Sequence, residues 1–156
     1  MQPRHQRLQA AELCARSFVA TGVTARDVFQ NMMTYGLFTG ALVAHYGAEK
    51  IGCLVIPAGP GNSEKQLALM QDFGTTAMHL TPSFALYFAD FLDGKGPDAR
   101  KPLKLRRAFV GAEPYSVKTR DKIEQALGVE VFNSYGLSEM NGPGVAFECE
   151  NRAVHL

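Results

Sequence analysis

Apolar residues recur at intervals of three and four positions in five stretches of the sequence, which is the spacing of one helical face. The predicted helices span residues 6–20, 36–46, 63–73, 82–92 and 116–127. A glycine stands where several of them should end, at Gly22, Gly47, Gly74 and Gly128. Two helix starts carry capping signals: Ser63 has Gln66 at capping-box spacing, and Thr81 precedes Pro82.

Short apolar runs separate these helices and predict strands within residues 27–33, 52–57, 75–80, 105–110 and 129–132. The run 52–57 suits a buried strand. Strands that alternate with helices over short loops indicate βαβ units. We therefore expect an α/β fold with a mainly parallel sheet and helices on both faces, in a single segment spanning residues 1–156. Residues 93–102 are the stretch most expected to be disordered, and residues 142–156 show no clear period.

Composition excludes several classes of protein. The 156 residues are 46% hydrophobic and 20% charged, values typical of folded domains. A net charge of +1 without a basic stripe argues against nucleic-acid binding. No apolar run is long enough to cross a membrane, and the first ten residues are polar. The three cysteines, Cys14, Cys53 and Cys149, are too widely spaced for a disulfide framework and favour a reducing cytoplasm.

The sharpest motif is Asn-Ser-Tyr-Gly-Leu-Ser-Glu at residues 133–139, directly after the last predicted strand. Ligands of open α/β sheets bind beyond the carboxyl ends of the strands. An amide, an aromatic ring, a hydroxyl and a carboxylate are the groups that hold a nucleotide and its magnesium ion. The alternative is a strand end followed by a helix that Ser138 caps, and spacing alone favours that alternative.

A second motif, Gly-Ala-Glu-Pro-Tyr at residues 111–115, follows the strand 105–110. Its small residues allow a ligand to lie against the backbone, although an ordinary strand-to-helix loop has the same composition. The glycines of residues 34–40 lack dinucleotide-binding spacing and indicate close helix packing, and residues 59–62 predict a turn. Two small-residue loops at strand ends predict a shared crevice.

Several runs together resemble the phenylacetate–CoA ligases, a branch of the adenylate-forming superfamily. They are residues 35–40, 45–50, 70–76, 111–114, 135–139 (Tyr-Gly-Leu-Ser-Glu) and 142–149 (Gly-Pro-Gly-Val-Ala-Phe-Glu-Cys). The resemblance covers roughly residues 8–156. It implies a two-step reaction with ATP, Mg²⁺ and coenzyme A, in which the acid phenylacetate becomes an acyl-adenylate and then a thioester.

The resemblance also implies roles for the matching residues. Glu139 would bind Mg²⁺ and Ser138 would contact the α-phosphate. Asn133 would bond the adenine amino group, and Tyr135, next to Gly136, would stack on the ring.

The acyl pocket follows from the same resemblance. Phe38 and Pro143 would flank the aryl ring. The adenine and acyl pocket would be lined through backbone contacts by Gly111, Ala112, Glu113 and Pro114.

The chain also departs from the family pattern. The upstream phosphate loop, the aspartate that holds the ribose and the C-terminal lid with its lysine are absent, so the chain resembles an internal part of the large N-terminal domain. Met33 stands where an aromatic residue is common, which leaves the acid open, and Tyr115 stands where tryptophan is common.

Three interpretations therefore remain open. The first is a segment of an aryl-acid CoA ligase, inactive when isolated. The second is a non-catalytic remnant or binding module, and the third is an adenylating relative that uses another carboxylate. A segment cut from a larger domain leaves apolar faces and strand edges uncovered, so we expect the chain to self-associate.

Two further features are interpreted as structural. His79 lies in a predicted strand, where a satisfied core histidine is the expected role; zinc binding with Cys149 and His155 is the alternative, and it lacks a fourth ligand. The helical stripe formed by Phe84, Phe88 and Phe91 is expected to be core packing.

Overall fold

A computed structural model describes residues 4–36, 39–137 and 142–155. The helices are α1 (Arg4–Ala20), α2 (Thr39–Ile51), α3 (Ser63–Phe73), α4 (Pro82–Lys95) and α5 (Val117–Leu127). The strands are β1 (Val28–Asn31), β2 (Leu54–Ile56), β3 (Ala77–Leu80), β4 (Arg107–Gly111), β5 (Glu130–Leu137), β6 (Gly142–Glu148) and β7 (Val154–His155). Among the described residues, no helix is both long enough and apolar enough to span a membrane.

The strands form one sheet in the order β2-β1-β3-β4-β5-β6-β7. Neighbours from β2 to β5 pair in parallel, whereas β6 and β7 add to the edge as antiparallel strands. The expected α/β class with a mainly parallel sheet is confirmed. The last two strands went unpredicted because residues 142–156 carry no alternation of apolar and polar positions.

Helices cover both faces of the sheet, as expected. Alternate strand residues point to opposite faces, so Phe109 and Phe132 pack with α1 and α2 while Val110 and Val131 pack with α3, α4 and α5. On the first face Phe18 contacts Phe109 with ring centroids 4.6 Å apart. The two buried layers hold the carboxyl ends of the central strands in a fixed arrangement.

The predicted end of α2 at Gly47 is wrong. The helix continues to Ile51 because Gly47 lies at the contact with α1, where an added Cβ would stand 3.0 Å from the Cβ of Cys14 and 3.3 Å from the carbonyl oxygen of Ala11. A helical glycine can permit such an approach instead of ending the helix. The predicted stops at Gly74 and Gly128 are confirmed, and both adopt positive φ.

The capping predictions had mixed outcomes. Thr81 caps α4 with Pro82 in the first turn, as predicted. The cap of α3 is not Ser63 but Asn62, whose side chain accepts a hydrogen bond from the N–H of Lys65. Gln66 is buried and makes other contacts, so the predicted capping box is wrong.

Three further expectations need correction. β2 is an edge strand rather than a buried one, since Leu54 is 53% exposed. β5 runs through residues 133–137, which were expected to follow the strand. The stretch 93–102 contains the end of α4 and a short 3₁₀ helix (Pro97–Ala99), and Arg100 holds it by donating hydrogen bonds to Asp93 and to the carbonyl groups of Ala89 and Ala126.

Candidate functional site

The carboxyl ends of β1, β3, β4 and β5 open into a cleft of about 410 Å³. This is the position where open α/β sheets bind ligands. Both small-residue motifs contribute to it, through Gly111 at the end of β4, Ala112 directly after it, and Ser134, Gly136 and Leu137 of β5. The expected shared crevice is therefore present in the described part of the chain.

The wall at β4 depends on a very close approach between two backbones. A Cβ on Gly111 would lie 2.4 Å from the carbonyl oxygen of Ser134, well inside van der Waals contact. Ala112 follows with a φ of 68°, in the left-handed region that alanine rarely adopts. The sharp change of direction presents the backbone at the surface of the cleft, which is the kind of contact that the resemblance implies for these two residues.

Glu113 and Pro114 do not line the cleft. The Glu113 carboxylate instead accepts hydrogen bonds from the backbone N–H of Ser83, at 3.1 Å, and from the Ser83 hydroxyl, at 2.7 Å. This contact ties the loop after β4 to the first turn of α4, where negative charge is favourable. Pro114 is exposed.

Some residues of the motif in β5 line the cleft, and others do not. The backbone N–H of Asn133 donates to Glu148 at 2.8 Å, and the Tyr135 side chain is 53% exposed; neither lines the cleft. The register shifts between Tyr135 and Gly136, and such irregularities redirect side chains at strand ends. Ser134, to which the sequence analysis gave no role, is buried at the cleft surface.

Some of the predicted site residues are not among the described residues. Phe38, Ser138 and Glu139 lie outside the described residues. The backbone of Pro143 belongs to β6 and stands opposite Gly136, so this part of β6 is adjacent to the cleft wall. β6 begins at Gly142, directly opposite Leu137, so residues 142–148 form an antiparallel strand. The helix start that the alternative interpretation places at Ser138 lies outside the described residues.

Sequence reasoning identified Met33 on the other side of the cleft, through its bearing on the acid, but gave no site role to the other described residues there. This side is formed by residues after β1, by the start of α2 and by the loop before α3: Met32, Met33, Thr34, Thr39, Gly40, Ala41, Pro60 and Gly61. The glycine-rich stretch 34–40 was interpreted as helix packing, but a Cβ on Gly40 would meet nothing within 4 Å. Its position directly after a parallel strand was the available signal.

The loop 58–62 bends at Pro60, within the predicted turn 59–62, and Pro60 and Gly61 form part of the cleft wall. Gln66 fixes the loop by donating from Nε2 to the carbonyl groups of Gly59, at 2.7 Å, and Gly61, at 3.0 Å. The Gln66 side-chain oxygen accepts a 2.7 Å bond from Gln30, whose own oxygen accepts one from Thr75. The side chains of all three residues are fully buried, so this hydrogen-bond network supports the loop rigidly.

His79 is buried at the end of β3 and hydrogen-bonded to Asn31, as expected of a core histidine, and it also lines the cleft. Its side chain is nearly inaccessible, with 3% of the residue exposed. Burial lowers the pKa of His79 to about 4, because the charged imidazolium loses its hydration. The ring is therefore neutral at physiological pH.

The zinc alternative receives no support from the described residues, among which no group of three or more potential ligands lies together. Cys149 and His155 line a separate depression next to α1, away from the cleft that contains His79. A hydrogen bond with His155 is the main reason that the pKa of the Cys149 thiol is lowered.

Comparison with known proteins agrees with this geometry. The family model for AMP-binding enzymes matches residues 4–155. The chain is 48% identical over 139 residues to a phenylacetate-coenzyme A ligase from Pseudomonas putida, covering 89% of this chain and 31% of that protein. It is 44% identical to the Escherichia coli ligase of the same name over 89% of this chain and 32% of that protein.

Solved structures share the fold. A 2-hydroxyisobutyryl-CoA ligase, solved with 2-HIB-AMP and CoA, superposes with a TM-score of 0.86 at 24% identity, over 94% of this chain and 33% of that one. A benzoate CoA ligase from Burkholderia xenovorans LB400 gives 0.74 at 16% identity, over 96% and 29%. The chain spans about a third of the length of these relatives.

Proposed function

Because this chain belongs to the family of AMP-binding enzymes, we propose that it supplies the nucleotide- and acyl-binding cleft of a CoA ligase that acts on an arylacetic acid. The proposed substrate is phenylacetate, with ATP and coenzyme A as co-substrates. The observation that carries the proposal is the cleft at the carboxyl ends of the parallel strands, lined by Gly111, Ala112 and Gly136. The identity to ligases of that specificity, at 40–48%, supports it.

The reaction has two displacements. A carboxylate oxygen of the acid attacks the α-phosphorus of ATP, and the bond to pyrophosphate breaks. The sulfur of coenzyme A then attacks the acyl carbon, AMP leaves with the bonding electrons, and the thiol proton is released. Neither step needs a covalent intermediate on the protein, so the contribution of this chain is to position the reacting groups and to exclude water.

The described residues suit that task. The short backbone approach at Gly111 and the left-handed turn at Ala112 leave main-chain groups at the cleft surface, where a flat base or an acyl group can lie against them. The loop 58–62, held by Gln66, closes the opposite wall. Preorganised walls of this kind reduce the entropy lost on binding.

Ser138 and Glu139 are proposed to act on the phosphate. The proposed roles are a hydrogen bond from Ser138 to the α-phosphate and a carboxylate ligand from Glu139 to Mg²⁺, an ion that prefers oxygen ligands. When bound, Mg²⁺ would supply charge neutralisation of the phosphates. Asn133 and Tyr135 are proposed to contact adenine from the edge of the cleft.

A second candidate is a chain that binds the acyl-adenylate without completing the reaction. An adenylating activity on another carboxylate is the third candidate. Binding of a preformed adenylate and turnover distinguish the first two, and a series of acids distinguishes the third.

Isothermal titration with phenylacetyl-adenylate tests the proposal. We expect the chain to bind the adenylate and the Glu139→Ala variant to bind Mg-ATP at least tenfold more weakly, because an oxygen ligand for the metal is lost. Glu130→Ala, at the opposite end of β5, is the matched control and should bind like the parent. A folded chain that binds neither ligand would contradict the proposal.

A further inference from the structure

Among the described residues that line the proposed acyl cleft, His79 is the one with a titratable side chain, and the proposed reaction gives it no role. His79 projects from β3 toward the face that carries α2 and lines the cleft, together with Met32 and Ala41. Its ring lies 6.4 Å from that of Phe29, centroid to centroid. The imidazole thus occupies a mostly apolar position at the wall of the cleft, with 3% of the residue exposed.

The hydrogen bonds around Asn31 assign the proton of this ring. The Asn31 side-chain amide donates from Nδ2 to the carbonyl oxygen of Ala41 at 2.8 Å. Its Oδ1 is therefore the atom that accepts from the N–H of Met33, at 3.3 Å, and the atom that faces His79 Nδ1, also at 3.3 Å. An oxygen can only accept, so Nδ1 must carry the hydrogen.

The second ring nitrogen, Nε2, is consequently a bare acceptor. A neutral imidazole carries one hydrogen, and Nδ1 holds it. Within the described ranges the structure gives Nε2 no hydrogen-bond partner. Nε2 is also not one of the side-chain atoms that are fully buried and lack a hydrogen bond. Because His79 lines the cleft, an apolar group packed against Nε2 would leave the lone pair of this nitrogen unpaired.

We propose that His79 selects an arylacetic acid that bears a hydroxyl group on its ring, by accepting a hydrogen bond from that hydroxyl at Nε2. The inference rests on the proposed function, because it takes the occupant of the cleft to be the acyl part of an adenylate. It deepens that function by naming the substrate class: phenolic acids in preference to unsubstituted phenylacetate. His79 is then a specificity residue that takes no part in the chemical steps.

A series of adenylate mimics tests the assignment. Non-hydrolysable acyl-sulfamoyl adenosines with phenylacetyl, hydroxyphenylacetyl, aminophenylacetyl and methoxyphenylacetyl groups, each in the ortho, meta and para forms, are titrated into the chain. The hydroxyl and amino groups can donate, whereas the methoxy group of similar shape can only accept. We expect one hydroxyl isomer to bind about three- to tenfold more tightly than phenylacetyl, and its methoxy counterpart to bind more weakly than phenylacetyl.

Variants separate this inference from the proposed function. His79→Met removes the acceptor at similar volume and should abolish the preference for the hydroxyl mimic over the phenylacetyl mimic. His155→Met, outside the cleft, should leave the binding of both mimics unchanged. Equal binding of the hydroxyl and unsubstituted mimics by the parent chain would overturn the inference alone, whereas binding of none of them by a folded chain would overturn the proposed function and the inference with it.

The tautomer gives an independent readout that does not depend on the variant folding. Nitrogen-15 NMR of the histidine rings distinguishes a protonated Nδ1 from a protonated Nε2. We expect His79 to carry its hydrogen on Nδ1 in the free chain and to show a shifted Nε2 resonance with the hydroxyl mimic. A hydrogen on Nε2, or tighter binding of the methoxy than of the hydroxyl mimic, would overturn the assignment.

Discussion

Single residues at the cleft are constrained by backbone geometry more than by side-chain chemistry. Gly111 has no room for a Cβ because the carbonyl oxygen of Ser134 occupies that space. Ala112 adopts a left-handed φ that costs about 1 kcal/mol or more for a residue with a Cβ. Unfavourable conformations of this kind persist where the surrounding structure fixes them, and they concentrate at functional sites.

Gly111→Ala should therefore lower both stability and ligand binding. The added methyl group would force β4 away from β5 and cost about 1–3 kcal/mol of the free energy of unfolding, measured by urea denaturation. Gly94→Ala is the matched control, because a Cβ at Gly94 of α4 meets nothing within 4 Å, and it should change the stability by less than about 1 kcal/mol. Equal stability of the two variants would show that the strands are not in close contact at Gly111.

At the scale of elements, the strands are joined at their amino ends by a single buried carboxylate. Asp27, before β1, accepts hydrogen bonds from the backbone and hydroxyl of Thr24, from Thr76 before β3 and from Arg106 before β4. Burial raises the pKa of Asp27, but the hydrogen bonds from Thr76, Thr24 and Arg106 outweigh burial and leave the pKa below its ordinary value. One charged group thus links three neighbouring strands.

This link makes stability depend on pH in a defined direction. Because the pKa of Asp27 is lower in the folded than in the unfolded chain, its contribution is complete above the ordinary aspartate pKa of about 3.9 and declines as the pH falls below it. Asp27→Asn should cost about 2 kcal/mol at pH 7 and progressively less below pH 4. Urea denaturation at several pH values measures the free energy of unfolding of both chains. A difference in stability between the parent and Asp27→Asn that does not change with pH would contradict this account.

The alternation of elements was predictable from sequence, whereas the ends of several were not. Apolar periodicity identified each helix and the five parallel strands, because each buries one face or both in the sheet core. Gly47 was misinterpreted as a stop since the neighbouring helix that it contacts is 33 residues away along the chain, beyond the reach of a local pattern. The antiparallel strands β6 and β7 depend on pairing with β5, which periodicity does not report.

The candidate site, like the fold, was predictable in part from the sequence. Residues after β4 and β5 were identified because small-residue motifs follow predicted strands, and Gly111, Ala112 and Gly136 do line the cleft. Glu113 was assigned to the cleft but bonds Ser83 instead, a contact that depends on how α4 is placed. His79 is buried, as predicted, but a histidine within an apolar strand gives no sign of whether that strand end also faces a cavity.

At the scale of the whole molecule, the chain is a sheet with helices on both faces and a cleft at the carboxyl ends of its strands. Apolar side chains are exposed elsewhere on its surface. Leu54 on the edge strand is 53% exposed, and Leu8 and Val19 of α1 are 61% and 54% exposed. The relatives are about three times as long as this chain. Self-association through such surfaces stays a prediction, as does location in the cytoplasm.

The central claim is that the cleft at the carboxyl ends of the strands binds an acyl-adenylate, and mapping of backbone amides by nitrogen-15 NMR tests it most directly. On titration with phenylacetyl-adenylate, the account predicts that the amide resonances of Gly111, Ala112 and Gly136 shift. The amide of Asp27, at the opposite end of the sheet, should remain in place. Shifts confined to residues away from the cleft, or no shift in a folded chain at saturating adenylate, would contradict the claim.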